Sequence, residues 1–181
     1  MTTRVMVGAE GVLLRACTAA DAPALHRLIG AHVEEGRLIP RTLSELGAHA
    51  SRFVAVERRE TAIACAELAP LSSSVAEIRS LVVEARARGE GLASRMVHEL
   101  TRRARHDGFG RVCAFAHDPG FFVGLGFSIV PHAWVPEKIA HDCAGCPLFR
   151  ACGQHALVLD LDAPIVWPVE AADRHAVNHA H

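Results

Sequence analysis

Two rhythms of apolar and polar positions run through this chain. Val12–Ala16, Arg52–Glu57, Thr61–Leu68, Ala76–Val83, Arg111–Ala116 and Ala156–Leu161 are short apolar or alternating runs bounded by turn residues, and they read as strands. Arg58–Glu60 is a polar turn joining the second and third of these. Helical spacing appears first in Leu25, Leu28, Ile29 and Val33, with Thr18 as cap and Gly36 as stop. Thr42-Leu43-Ser44-Glu45 has the form of a capping box and predicts a short second helix. Leu92, Met96, Val97 and Leu100 mark a third, running to about His106 with Gly108 as its end, and Pro119–Leu125 a short fourth closed by Gly126. From Pro131 to Cys152 the pattern loosens. The order is α+β.

The third helix begins in an unusual way. Strand-like Leu81-Val82-Val83 runs into Arg86-x-x-Gly89-x-Gly91, and the helix follows with Leu92 and Ala93. A helix that opens on glycines leaves backbone N–H groups and the positive end of its dipole facing whatever lies above them. Gly89 and Gly91 allow close approach of a phosphate, and a pyrophosphate is the simplest ligand. An ordinary strand-to-helix turn is the plain alternative. No Gly-Lys-Ser/Thr follows, so a nucleoside-triphosphate loop does not fit. The further glycines and the acidic residue of a dinucleotide fingerprint are also missing.

Composition narrows the classes. With 181 residues, half of them hydrophobic, the chain suggests one domain with a real core. A net charge of −1 gives no nucleic-acid footprint. No apolar run reaches the ~18 residues of a membrane span, and Met1–Gly11 lacks a secretory stretch, so a cytoplasmic location is expected. The expected division is a tail over 1–10, a domain over 11–165 with a Cys-rich insert at 141–155, and a tail over 166–181. His175, His179 and His181 in that last segment read as solvated rather than metal-binding.

Arg86-x-x-Gly89-x-Gly91 after a strand resembles the acetyl-CoA signature of the GNAT acetyltransferases. Further segments resemble the acetyltransferase domain of N-acetylglutamate synthase, which opens arginine biosynthesis. They are Arg15-Ala16-Cys17-Thr18-Ala19-Ala20-Asp21, Gly36–Glu45 around Arg41, Ile63-Ala64-Cys65-Ala66, Ala76-Glu77-Ile78, Phe121–Phe127 and Val135-Pro136-Glu137-Lys138. The likeness spans roughly residues 13–161. It implies a mixed, mostly antiparallel sheet splayed between strands four and five (Ala76–Val83 and Arg111–Ala116), with helices on both faces. Full-length synthases of that family often carry an amino-acid-kinase-like domain with an arginine feedback site. Nothing in this sequence encodes one, so millimolar arginine is expected to leave activity unchanged.

The resemblance implies roles residue by residue. Arg86, Arg88, Gly89, Glu90, Gly91, Leu92 and Ala93 would hold the CoA pyrophosphate, mostly through main-chain amides. N–H groups near Leu81, Val82 and Val83 would polarise the thioester carbonyl, a contribution of roughly 3–4 kcal/mol; plain core strand is compatible with that role. Glu77 stands where relatives place a catalytic glutamate, and would take the proton of the attacking ammonium. An ion pair, with Arg79 for example, is the rival. Arg41 would grip substrate carboxylate, with Arg79 a further candidate, and Cys65 would line the same pocket or simply fill the core. The family's second carboxylate-binding arginine falls at His117, a weaker clamp, which leaves glutamine, aspartate or another amino acid open as acceptor. There is no tyrosine to protonate the thiolate, and Phe122 occupies that place.

One cluster stands apart. Cys143-x2-Cys146-x5-Cys152-x2-His155 supplies four ligands suited to a structural zinc, the alternative being reduced thiols packed under the last strand. The expected function is transfer of acetyl from acetyl-CoA to the α-amine of a small amino acid, glutamate first. The alternatives are another small amine as acceptor, a non-catalytic acyl-CoA sensor, and a metal-dependent interaction module. Oligomeric state, homodimer included, is not legible.

Overall fold

The computed structural model describes residues 4–6, 11–34, 38, 40–146 and 149–161. The expected stop at Gly36 and the tail over 166–181 lie outside them, as do Pro147 and Leu148 of the Cys-rich insert. One sheet of eight strands organises the chain: β1 (Arg4–Met6), β2 (Val12–Ala16), β3 (Phe53–Arg58), β4 (Thr61–Pro70), β5 (Val75–Val83), β6 (Arg111–Ala116), β7 (Ser128–Val130) and β8 (His155–Asp160). Their spatial order is β1-β2-β3-β4-β5-β6-β8-β7. All neighbours are antiparallel except β5 and β6. The helices are α1 (Ala22–Glu34), α2 (Leu43–Ala48), α3 (Leu92–His106), α4 (Gly120–Val123) and α5 (Pro136–Lys138).

Two strands correct the sequence reading. Arg4–Met6, assigned there to a tail, pairs with β2 in the register Arg4↔Arg15 to Met6↔Leu13. Ser128–Val130 pairs with β8 at the opposite edge. Both are three residues long, too short to show alternation, and Ile129 of β7 is 53% exposed.

Helices cover both faces. Leu92, Met96, Val97, Leu100 and Ala104 of α3 pack with Val54, Val56, Ala64, Ala66, Ala76 and Ile78 on one face. Leu25, Leu28 and Ile29 of α1 and Leu46 of α2 pack with Phe53, Ala55, Cys65 and Val82 on the other. A third cluster, Val75, Cys113, Val135 and Val158, extends this second face past the centre of the sheet. The caps are local. The Asp21 carboxylate accepts the Thr18 N–H at 2.7 Å and its hydroxyl at 3.1 Å, over a 3₁₀ turn that precedes α1. Thr42 accepts the Glu45 N–H at 3.2 Å, while the Glu45 side chain turns to Arg41 instead of closing the box.

Two irregularities in the sheet create the site. The parallel pairing of β5 with β6 covers only Val75↔Arg111, Ala76↔Val112 and Glu77↔Cys113. Beyond that point β5 runs to Val83 and β6 to Ala116 with no further register pair among the described residues, so the strands fork. The second irregularity is a bulge. Cys65 faces Val82 and Glu67 faces Arg79, so Ser80 and Leu81 together oppose Ala66. Ser80 sits at φ 51°, a left-handed conformation that costs a residue with a Cβ about 1–3 kcal/mol. The extra residue flips the phase of the strand. Ala76 and Ile78 face α3 before the bulge, whereas Val82 faces α1 after it and Leu81 and Val83 pack toward α3.

Candidate functional site

The donor corner is built by backbone. After β5 a 3₁₀ turn, Ala85–Ala87, leads into Arg88-Gly89-Glu90-Gly91 and then α3. Gly89 has φ 84° and Gly91 φ 74°, and a Cβ added to either would meet nothing within 4 Å. Glycine is therefore required by conformation and not by crowding, and the turn lies open above the first N–H groups of α3. Leu92, 3% exposed, anchors that helix in the core beneath. The charged neighbours are held by one another. Arg86 Nε donates to Glu84 at 2.8 Å, and Arg88 donates to the Val83 carbonyl at 3.3 Å and contacts His32 Nε2 at 3.1 Å. Glu90 pairs with Arg58. Val82 is buried core; Leu81 and Val83 are half-buried, and along the fork their strand has a free edge where main-chain N–H groups can meet a ligand.

The acceptor region is built by side chains. Glu77 is the last residue of β5 paired with β6, so its carboxylate stands where the strands part. It is 2% exposed, and Lys138 Nζ donates to its two oxygens at 2.7 and 2.9 Å. Lys138 also donates to Asp142 at 2.7 Å, and Arg79 Nη1 lies 3.9 Å from Glu77 and 3.5 Å from Asp142. Burial pushes the Glu77 carboxyl above its usual range, against the pull of the Lys138 ammonium. Burial lowers Lys138 in turn, but Glu77 and Asp142 more than reverse this and leave it raised.

Two residues along the same face lies Glu67, fully buried in β4. Arg79 Nε donates to it at 2.9 Å and Arg41 Nη1 at 3.1 Å. Arg41 is held on its other side by Glu45 at 2.7 Å, i to i+4. Its Nη2 is buried with no hydrogen-bond partner among the described residues. An unpaired buried donor is costly, and a hydrogen-bond acceptor is what this one lacks among the described residues.

Arg41, Arg79 and Glu77 are thus brought together, with Lys138 linking the last of them to Asp142. Glu67 and Asp142 were missed by the sequence reading, and Lys138 appeared there only inside a family segment. For Glu67 a signal existed: a lone carboxylate inside Thr61-Ala-Ile-Ala-Cys-Ala-Glu67-Leu-Ala-Pro70 is a buried charge that demands partners. Cys65 lies on this face but is fully buried in the core with Phe53 and Val82, its Sγ 3.9 Å from the Ser80 carbonyl. His117 is exposed after β6, beside Gly153, apart from the arginines. Phe122 packs edge-on against Phe121 and Phe127 at 5.1 and 5.2 Å and can give no proton.

The zinc expectation is corrected. Among the described residues no three His, Cys, Asp or Glu side chains converge as metal ligands. His155 is fixed in the β8 ladder opposite Ala116, Cys152 is exposed in the preceding loop, and Cys143 ends a π-helical turn. Likewise, no helix among the described residues is long and apolar enough to cross a membrane.

Residues 21–122 match the Acetyltransferase (GNAT) family. The chain is 28% identical over 153 residues to an uncharacterized N-acetyltransferase of Chlorobaculum tepidum, covering 84% of this chain and 99% of that protein. Among solved structures it is similar to N-acetylglutamate synthase from Neisseria gonorrhoeae in complex with coenzyme A and N-acetyl-glutamate, at 26% identity and TM-score 0.75. That match covers 87% of this chain but 37% of the synthase. A Mycobacterium tuberculosis protein, Rv2747, solved with CoA, shares the fold at TM-score 0.71 and 20% identity, covering 81% of this chain and 98% of its own. With the family matched across more than half its length, and with the glycine turn and the forked strands in place, the chain belongs to the GNAT acetyltransferases.

Proposed function

We propose that this acetyltransferase moves the acetyl group of acetyl-CoA to the α-amine of a small acidic amino acid, with glutamate the first candidate. The buried Nη2 of Arg41, without a hydrogen-bond partner among the described residues, carries the reading. Two arginines, Arg41 and Arg79, share one carboxylate at Glu67, and Glu45 balances the formal charge at that end from outside. Two carboxylates, Glu77 and Asp142, surround one ammonium at Lys138, so the other end carries the surplus of negative charge. A carboxylate near Arg41 with an ammonium near Glu77 is the arrangement of an amino-acid zwitterion. The likeness to a synthase solved with N-acetyl-glutamate supports the same acceptor, over 37% of that protein.

The chemistry then runs in two proton movements and one bond exchange. The acceptor ammonium gives a proton to Glu77, directly or through water, and its nitrogen attacks the thioester carbon. Negative charge gathering on the carbonyl oxygen is met by main-chain N–H groups on the free edge of β5. The C–S bond breaks, and the thiolate takes a proton released from the acylated nitrogen, Phe122 having none to offer. The decisive experiment is thiol release from acetyl-CoA across the free amino acids. Glutamate should show the highest kcat/KM. A faster neutral or basic amino acid overturns the acidic acceptor, and acetyl-CoA binding without thiol release from any amine makes the protein a sensor.

A further inference from the structure

We propose that Lys138 is a positioning residue for Glu77, holding the carboxylate ionised and aimed into the fork between β5 and β6 while Asp142 fixes the ammonium in place. The inference rests on Glu77 being the base. Glu77 lies under the surface, where an isolated carboxylate would bind a proton and cease to act as one. The groups facing it are few: Lys138 and Asp142 from the segment after β7, Arg79 on its own strand, and the Cys113 thiol opposite it on β6. Of the two cations, Lys138 touches both oxygens, and Arg79 at 3.9 Å is hydrogen-bonded to Glu67 instead.

Lys138 is itself constrained. Val135, fully buried against Val75 and Cys113, plants the start of α5 on the sheet beside Glu77. The Lys138 ammonium lies 5.3 Å from the centre of the Phe115 ring, and Asp142 receives it one turn later at i+4. The acceptor's ammonium carries the same charge as the Lys138 head group and must approach the same carboxylate. Asp142 offers Lys138 a second anion to lean on when that happens, so that Glu77 can take the incoming proton without leaving Lys138 unpaired.

The test is the pH dependence of kcat. Lys138→Met should move the acid limb upward by about one pH unit or more, lowering turnover about tenfold at pH values below the limb and recovering it above. KM for acetyl-CoA should not change. Lys138→Arg should keep the limb near the wild-type position. Asp142→Asn removes the competing anion and should move the limb downward, a second reading available if Lys138→Met does not fold. A uniform loss at every pH in Lys138→Met, or a limb that stays or rises in Asp142→Asn, overturns the role. Glu77→Gln separates the two levels: full turnover there removes the base itself. A slow Glu77→Gln beside an unmoved limb in Lys138→Met removes only the role of Lys138.

Discussion

The donor corner and the acceptor region lie on one strand, β5, and are made in opposite ways. At the corner, Gly89 and Gly91 contribute conformation and little else, and under the proposed reading recognition falls to main-chain N–H groups at the start of α3. In the proposed acceptor region seven charged side chains, Arg41, Glu45, Glu67, Glu77, Arg79, Lys138 and Asp142, gather from distant segments. Backbone recognition suits a ligand shared by a whole superfamily, since it asks only for the turn. Side-chain recognition suits the part of the reaction that varies, because exchanging one residue alters the charge balance and leaves the sheet intact.

Substitutions can break the comparison, and the largest effect should come from its centre. Glu77→Gln should lower turnover by about 10²–10⁴-fold, while calorimetry finds acetyl-CoA affinity unchanged. If that affinity falls as well, the two regions are not separable. Next come the glycines. Gly91→Val forces a branched side chain into φ 74° at a strain of roughly 1–3 kcal/mol. It should raise KM for acetyl-CoA about 10–100-fold and spare KM for the amino acid. Arg41→Ala should do the reverse, raising KM for the amino acid about tenfold or more with acetyl-CoA unaffected. Equal effects on both substrates from either variant would dissolve the distinction.

The smallest effect belongs outside both regions. Arg15 holds the Asp21 carboxyl below its usual range, through paired hydrogen bonds of 2.9 and 2.6 Å. A depressed acid stabilises the fold above its unfolded pKa and loses that contribution as pH falls through the folded one. Asp21→Asn should therefore cost about 1–2 kcal/mol in denaturant unfolding at pH 7, and the difference should shrink as pH falls below the ordinary carboxylate range. Turnover at pH 7 should hold. A loss of acetyl transfer without loss of stability would extend the acceptor region to the start of α1.

Legibility followed the same division. Arg86-x-x-Gly89-x-Gly91 stood out because three residues at fixed spacing describe a local backbone path, and Gly89 and Gly91 take the positive φ it calls for. Glu77 and Arg41 were named from family segments, with Arg79 as a neighbour of Glu77, but the parts played by Glu67, Lys138 and Asp142 around them were not foreseen. The Ser80 bulge was hidden because Ala76–Val83 reads as one uninterrupted strand in which no residue signals φ 51°. The Cys143–His155 spacing, suggestive of zinc in one dimension, did not close once β8 fixed His155 in its ladder.

The sequence by itself determined the order of the six longer strands and the first four helices, the placement of the glycine turn and the pattern of core positions, since each depends on neighbours within a few residues. Only the tertiary structure decided where β5 and β6 separate, which carboxylates are buried, and which cation neutralises each. Those outcomes depend on the distances between segments far apart in the chain, and on how much water remains around every charge.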